Sequence, residues 1–195
     1  MYLRQPYDMG LSKVYNFKTN MLNKSFTPFP ILKTERLILR QLEIDDEQEI
    51  FTLRSDNEIN KYLDRPISNS VEDAKDFINK INEHIFNNAA LYWAIILGDK
   101  NRLVGTICLF GFSAESGSCE IGYELLTNFQ GQGIMQEAAE KTIDYAFKTI
   151  KVQRIEAFLH KDNQRSIQLL DKLSFHKSDE VDEANPELIS YYLTI

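Results

Sequence analysis

The sequence predicts a single α+β (mixed α/β) domain: a central, mixed and mostly antiparallel sheet of about seven strands flanked by about four helices. Three observations predict it. Of 195 residues, 43% are hydrophobic and 26% charged, ordinary for a globular domain and unlike a disordered, coiled-coil or collagen-like chain. Segments of short strand character alternate with segments at helical spacing, and three of the strands follow one another as a meander. No apolar run approaches the roughly 20 residues of a membrane-spanning helix, and the longest, Ala89 to Leu97, reads as a strand.

Residues 1–33 form an N-terminal extension, an arm or strap, with Pro6, Pro28 and Pro30, scattered aromatics and no clear period. Met21 is an alternative start. The body, residues 34–195, opens with a short strand from Arg36 to Gln41. Asp45 then begins a helix to about Arg54, with carboxylates in its first turn. A second helix runs from about Ser70 to Asn88, with Phe77, Ile78, Ile81 and Ile85 on one face. Leu91–Leu97 and Leu103–Phe112 pair through a turn at Gly98–Asn101, and Cys119–Leu126 completes the meander. A long helix covers about Gly131 to Thr149. Arg154–Leu159 is a strand, Gln164–Leu173 a helix and Phe175–Val181 a strand; Asp182–Pro186 turns into a final strand, Leu188–Ile195.

The formal net charge of −7 is unevenly spread. Residues 1–40 carry seven cations and two anions (+5), and the rest 15 cations against 27 anions (−12). Such a body repels phosphate backbones, so no nucleic-acid partner is expected. It favours a cationic acceptor such as an amine, a polyamine or a basic peptide, unless the charge is only solvated surface. No membrane partner is expected either. The first residues lack a hydrophobic signal core, so a cytoplasmic location is expected. Cys108 and Cys119 read as reduced, buried thiols. His84, His160 and His176 show no ligand spacing, so no metal is expected.

Two segments carry chemistry. The first is Glu120-Ile-Gly-Tyr, a four-residue connection after the strand, and then Gln130-Gly-Gln-Gly-Ile-Met135 leading into a helix. Glycines there let a backbone approach a ligand closely, and free N–H groups at a helix N-terminus favour an anion such as a diphosphate. A tight turn is the simpler alternative. The second segment is Asn163-Gln-Arg-Ser166, followed by Ile167, Leu169, Leu170 and Leu173. Taken alone it is an N-capped amphipathic helix.

Together, and with Thr34-Glu-Arg-Leu-Ile-Leu-Arg and Leu103-Val-Gly-Thr-Ile, these segments resemble the GNAT superfamily of acetyl-coenzyme A-dependent N-acetyltransferases. The branch they resemble most contains the ribosomal-protein alanine and serine N-terminal acetyltransferases. The resemblance implies an enzyme of bacterial type that moves acetyl from the thioester of acetyl-CoA, as co-substrate, to a primary amine. The acceptor would be a protein N-terminal α-amine or a small amine; polyamine or aminoglycoside acetylation and a non-catalytic acyl-CoA sensor are the alternatives. It further implies that Glu120, directly or through water, is the general base, with Glu124 on the same face as substitute. Ser166 is implied as acid or thiolate donor, and an amide of Leu125 or Leu126 as oxyanion donor. Gln130, Gly131, Gln132, Gly133, Ile134 and Met135 would hold the diphosphate, and Asn163 the pantetheine arm. Three departures stand out. Met135 replaces the usual small residue, Ser174 the usual glycine after the late helix, and Leu170 the tyrosine that protonates the thiolate in many members. A monomer and a homodimer are both compatible with the sequence, as are acceptor loops at Asp56–Ser70 and Asp182–Pro186.

Overall fold

A computed structural model describes residues 22–98, 102–180 and 185–195. The chain joins its sheet through β1 (Leu32–Lys33) and β2 (Leu37–Gln41). A single 3-10 turn, Ile44–Asp46, leads into α1 (Glu47–Ser55) and α2 (Asn57–Asn60). The next helix, α3 (Val71–Phe86), starts at a capping box: the Ser70 hydroxyl accepts from Asp73 N while the Asp73 carboxylate accepts from Ser70 N. There follow β3 (Leu91–Leu97), β4 (Arg102–Ser113), β5 (Ser118–Leu125) and α4 (Ile134–Tyr145), the last running into a π-helical turn, Ala146–Ile150. The chain ends with β6 (Arg154–His160), α5 (Gln164–Lys172), β7 (His176–Lys177) and β8 (Leu188–Thr194).

The eight strands form one sheet in the order β1-β2-β3-β4-β5-β6-β8-β7. Every pairing is antiparallel except β5 with β6. Central β3 explains its own unbroken apolar run, because both its faces are covered. Leu91, Trp93 and Ile95 enter the core shared with α4 and α5, while Tyr92, Ala94 and Ile96 enter the core shared with α1 and α3. Trp93 is fully buried, and its indole N–H donates to Pro30 O at 2.7 Å. Phe26 is buried in the same core and β1 pairs with β2, so residues 22–33 pack against the body. Cys119 and Cys108 lie in opposite cores as free thiols, and burial pushes both thiols up, which keeps them protonated.

The architecture has one more strand and one more helix than expected, through β1 and the four-residue α2. The long helix begins at Ile134 rather than Gly131, because Gly131 and Gly133 both take left-handed backbone (φ +75°). The strand expected over Phe175–Val181 shrinks to His176–Lys177, an edge strand followed by exposed Asp179 and Glu180. Residues 99–101 of the expected hairpin turn, Val181 of that strand, and residues 182–184 of the last turn lie outside the described residues, as does Met21. No helix among the described residues is long and apolar enough to cross a membrane.

Candidate active site

The site begins where two parallel strands part. β5 and β6 pair only at Ser118–Arg154, Cys119–Ile155 and Glu120–Glu156, although both strands continue. Beyond Glu120 a cleft opens between them, and the backbone of β5 on that side has no ladder partner. The Leu126 amide donates to Val104 O at 2.9 Å, on the other side of the strand. Leu126 therefore drops out as an oxyanion donor. Antiparallel alternation turns the Leu125 N–H the opposite way, into the cleft. Leu125 O already faces it and accepts from Gln130 Nε2 at 2.9 Å.

At the mouth of the cleft lies the glycine loop. A 3-10 turn, Thr127–Phe129, brings Gln130 back towards β5, and Gly133 caps α4 in left-handed conformation. A Cβ on Gly131 would meet nothing within 4 Å, and one on Gly133 would meet only Arg36 Nη2 at 3.5 Å. Open space in front of successive glycines at a helix N-terminus is a cradle for an anion. Met135 does not obstruct it, since its side chain is buried in the core beneath the sheet. Two cations flank the loop. Arg36 donates from Nη1 to Gln132 O at 3.1 Å and from Nε to Glu137 at 2.6 Å, and Arg165 donates to the Gln130 side-chain carbonyl. Burial would raise the Glu137 carboxyl, but hydrogen bonds from Thr34 and Arg36 hold it below the usual carboxylate range.

On the α1 and α3 face of the sheet, Glu120 and Glu124 lie to one side of β5, as strand alternation requires, and both act on the Cys108 thiol between them. Glu120 is half-buried at the point where the strands part, beside Glu156 and across from Phe110. Tyr192 pairs with Glu156 and so shares this face, under the Arg154 guanidinium, while Tyr191 is buried on the other. Glu124 is different. Its Oε2 accepts from Arg65 Nη2 at 2.6 Å, and its Oε1 accepts from the Tyr92 and Thr106 hydroxyls at 3.2 Å each. Burial would raise this carboxyl, yet the charge and hydrogen bond of Arg65, then Arg54, hold it below the usual range. With three hydrogen bonds, one of them from a buried guanidinium, Glu124 is a poor base.

On the opposite face, Ser166 is buried and its hydroxyl meets the Tyr123 hydroxyl in a side-chain hydrogen bond. Burial pushes the Tyr123 phenol up, more than that bond lowers it, so it remains a proton donor. Leu170, one turn after Ser166, points into the core. Asn163 caps α5: its side-chain oxygen accepts from Ser166 N at 3.2 Å, which leaves its amide N–H₂ to donate elsewhere. Tyr62 stacks on His160 at 5.2 Å, so the segment after α2 reaches the end of β6. His160, Asp162 and Glu187 are the only trio among the described residues spaced to hold a metal, and Lys161 Nζ is bonded to Glu187 at 2.9 Å.

The structure thus brings Glu120, Leu125, Gln130–Met135, Asn163 and Ser166 around one cleft. Arg36, Arg65, Arg165 and Tyr123 join them unannounced. Arg36, Tyr123 and Arg165 lie inside the motifs themselves, where spacing gave them no role. Arg65 lies in the Asp56–Ser70 loop, whose shape only the fold supplies.

A family model described as an acetyltransferase (GNAT) domain matches residues 36–176. An uncharacterized N-acetyltransferase, p20 of Bacillus licheniformis, is 36% identical over 165 residues, covering 83% of this chain and 93% of its own. The ribosomal protein uS5 alanine N-acetyltransferase of Escherichia coli is 31% identical over 101 residues, 51% of this chain and 52% of its own. Among solved structures, RimL, the ribosomal L7/L12 alpha-N-protein acetyltransferase in complex with coenzyme A, shares the fold at a TM-score of 0.75. That likeness holds at 20% identity over 85% of this chain and 98% of the other.

Proposed function

The chain belongs to the acetyltransferase (GNAT) family, and on that premise we propose that it moves acetyl from acetyl-coenzyme A to a primary amine by direct transfer. It is an N-acyltransferase; the class of amine and the role of each residue are our reading. The observation that carries it is the parting of β5 from β6 beyond Glu120, with the glycine loop at its mouth.

The diphosphate of the coenzyme lies against the amides from Gln130 to Met135, with Arg36 and Arg165 adding charge. The pantetheine arm runs into the cleft past the Asn163 amide. The thioester carbonyl then accepts from Leu125 N–H, which stabilises the oxyanion as the tetrahedral intermediate forms. An alkylammonium is largely protonated at neutral pH, so Glu120, directly or through one water, takes a proton before the nitrogen attacks. The C–N bond forms, the nitrogen gives its second proton to water, the C–S bond breaks, and the departing thiolate takes a proton from the Ser166 hydroxyl, resupplied through Tyr123 from solvent. In this reading base and acid sit on opposite faces of the sheet, so they do not compete for one proton.

The acceptor is a protein N-terminal α-amine or a small amine. The test is thiol release from acetyl-coenzyme A with peptides, polyamines and aminoglycosides. Turnover should appear with at least one amine class and fall about 10²–10⁴-fold in Glu120→Gln, with coenzyme affinity kept. Tight coenzyme binding without thiol release on any acceptor would identify an acyl-coenzyme A sensor instead. An unchanged pH–rate profile in Glu120→Gln would remove it as the base.

A further inference from the structure

Around Glu124, the α1 and α3 face of β5 holds a narrow pocket lined by the side chains of Leu63, Arg65, Tyr92, Thr106, Cys108 and Glu124. It has about 230 Å³ of empty space, open solvent at its mouth included, and as it stands admits about one water molecule. Its charges do not balance. Its one carboxylate, Glu124, already accepts from Arg65, Tyr92 and Thr106. The Arg65 side chain is only 6% exposed. It donates from Nε to Asn60 and from Nη2 to Glu124, yet its Nη1 is buried with no partner among the described residues. A second guanidinium stands behind it. Arg54 stacks on Phe77 at 3.9 Å, its buried Nε has no partner either, and burial together with Arg65 pushes its pKa down. One buried and one half-buried guanidinium facing one carboxylate leave spare buried donors, which are costly unless an acceptor arrives to use them.

We propose that this pocket takes a carboxylate of the acceptor molecule, held by Arg65 with Arg54 behind it. The acetylated amine then belongs to an amino acid or peptide that carries a nearby carboxylate, not to a polyamine. A guanidinium matches a carboxylate in shape and charge, and Tyr92 and Thr106 already show the pocket's preference for hydroxyl and N–H donors around carboxylate oxygens. The acidic surface draws the ammonium end while the pocket fixes the anionic end, so the two signs of charge are read at different depths.

The inference rests on the amine-acetylating reading, and its test separates the two. Unbranched ω-amino acids of two to six carbons are compared with their primary amides, with spermidine and with O-phosphoethanolamine. Each is measured by thiol release and, with coenzyme A bound, by calorimetric titration. The expected result is a preference for at least one carboxylate over its amide of about tenfold or more, the size of one charge-assisted hydrogen bond. That ratio should fall to near one in Arg65→Lys, which keeps a cation beside Glu124 but loses Nη1, and part-way in Arg54→Met. If Arg65→Lys does not fold, Arg54→Met carries the comparison, since it leaves the Arg65–Glu124 pair intact. A preference for the amides, spermidine or the phosphate, or a ratio that neither variant alters, overturns the proposal. Carboxylate binding that depends on Arg65, without thiol release from any amine, would sustain the pocket and overturn the transfer reading.

Discussion

At the level of single residues, the most instructive position is Tyr123. Leu170, which stands where the resemblance implies a thiolate acid in many members, is buried in the core. Ser166 alone is a weak proton source, but Tyr123 reaches it from β5 and is kept protonated by burial. Removing only the phenolic oxygen separates relay from packing. In Tyr123→Phe, single-turnover acetyl transfer should slow by about 10–10²-fold, at the low end of general-acid effects, while the KM for acetyl-coenzyme A holds. Ser166→Ala should slow it as much, and the double variant no more than either alone, since both cut one proton path. An unaltered chemical step in Tyr123→Phe would leave Ser166 acting by itself. The partnership was not legible in the sequence. Tyr123 and Ser166 belong to different motifs, and only the packing of α5 on β5 joins them. Glu120 and Glu124 were legible as a same-face pair by alternation. Which of the two is held by a buried guanidinium could not be read, because the answer lies with Arg65 in an irregular loop.

Among elements, the loop before α4 shows how a local rule carries a function. Two glycines a residue apart were readable as an anion cradle, and both take φ +75°, a conformation that side chains resist. The cost at Gly133 comes from that backbone rather than from crowding, since an added Cβ finds only the end of Arg36. Gly133→Val should therefore fold, less stable by about 1–3 kcal/mol, yet lose measurable coenzyme binding in a calorimetric titration, because the valine fills the phosphate approach. Normal affinity in a folded variant would defeat the loop assignment. Ser174 shows the opposite outcome of the same rule. It holds the left-handed turn after α5 (φ +63°), with Ser174 N and Phe175 N donating back to Asp171 O and Leu170 O at 3.0 Å each. The turn was legible and the residue type was not decisive. Strand and helix existence could be read from period almost throughout. β1 and the length of β7 could not, because two-residue strands have no period to read.

For the whole molecule, the charge split of the sequence meets the buried charges of the fold. We propose residues 1–33 as an extension of the catalytic body. Its second part is already tied to that body: Phe26 is buried, and Asn23 N donates to Ile150 O at 2.9 Å, beside α4. The acidic balance of the body says nothing about its interior around Glu124, where the two guanidinium groups of Arg65 and Arg54 face one carboxylate. That interior should govern acid stability. Glu124 has its pKa lowered on folding, so its contribution is fully present above the ordinary carboxylate value of 4.5 and is lost as pH falls below it. Protonating it leaves these two guanidinium groups without a counter-charge and breaks the tie between β5 and the 61–70 segment. Denaturant unfolding followed from pH 7 to pH 3 should show stability dropping below about pH 4.5. In Glu124→Gln the drop should be shallower, from a starting stability lower by about 1.5–3 kcal/mol, the worth of a hydrogen bond to a charged group. Equal pH slopes in the two proteins would mean that other carboxylates set the acid limit. Glu124 would then still orient Arg65 but would not hold the fold together at low pH.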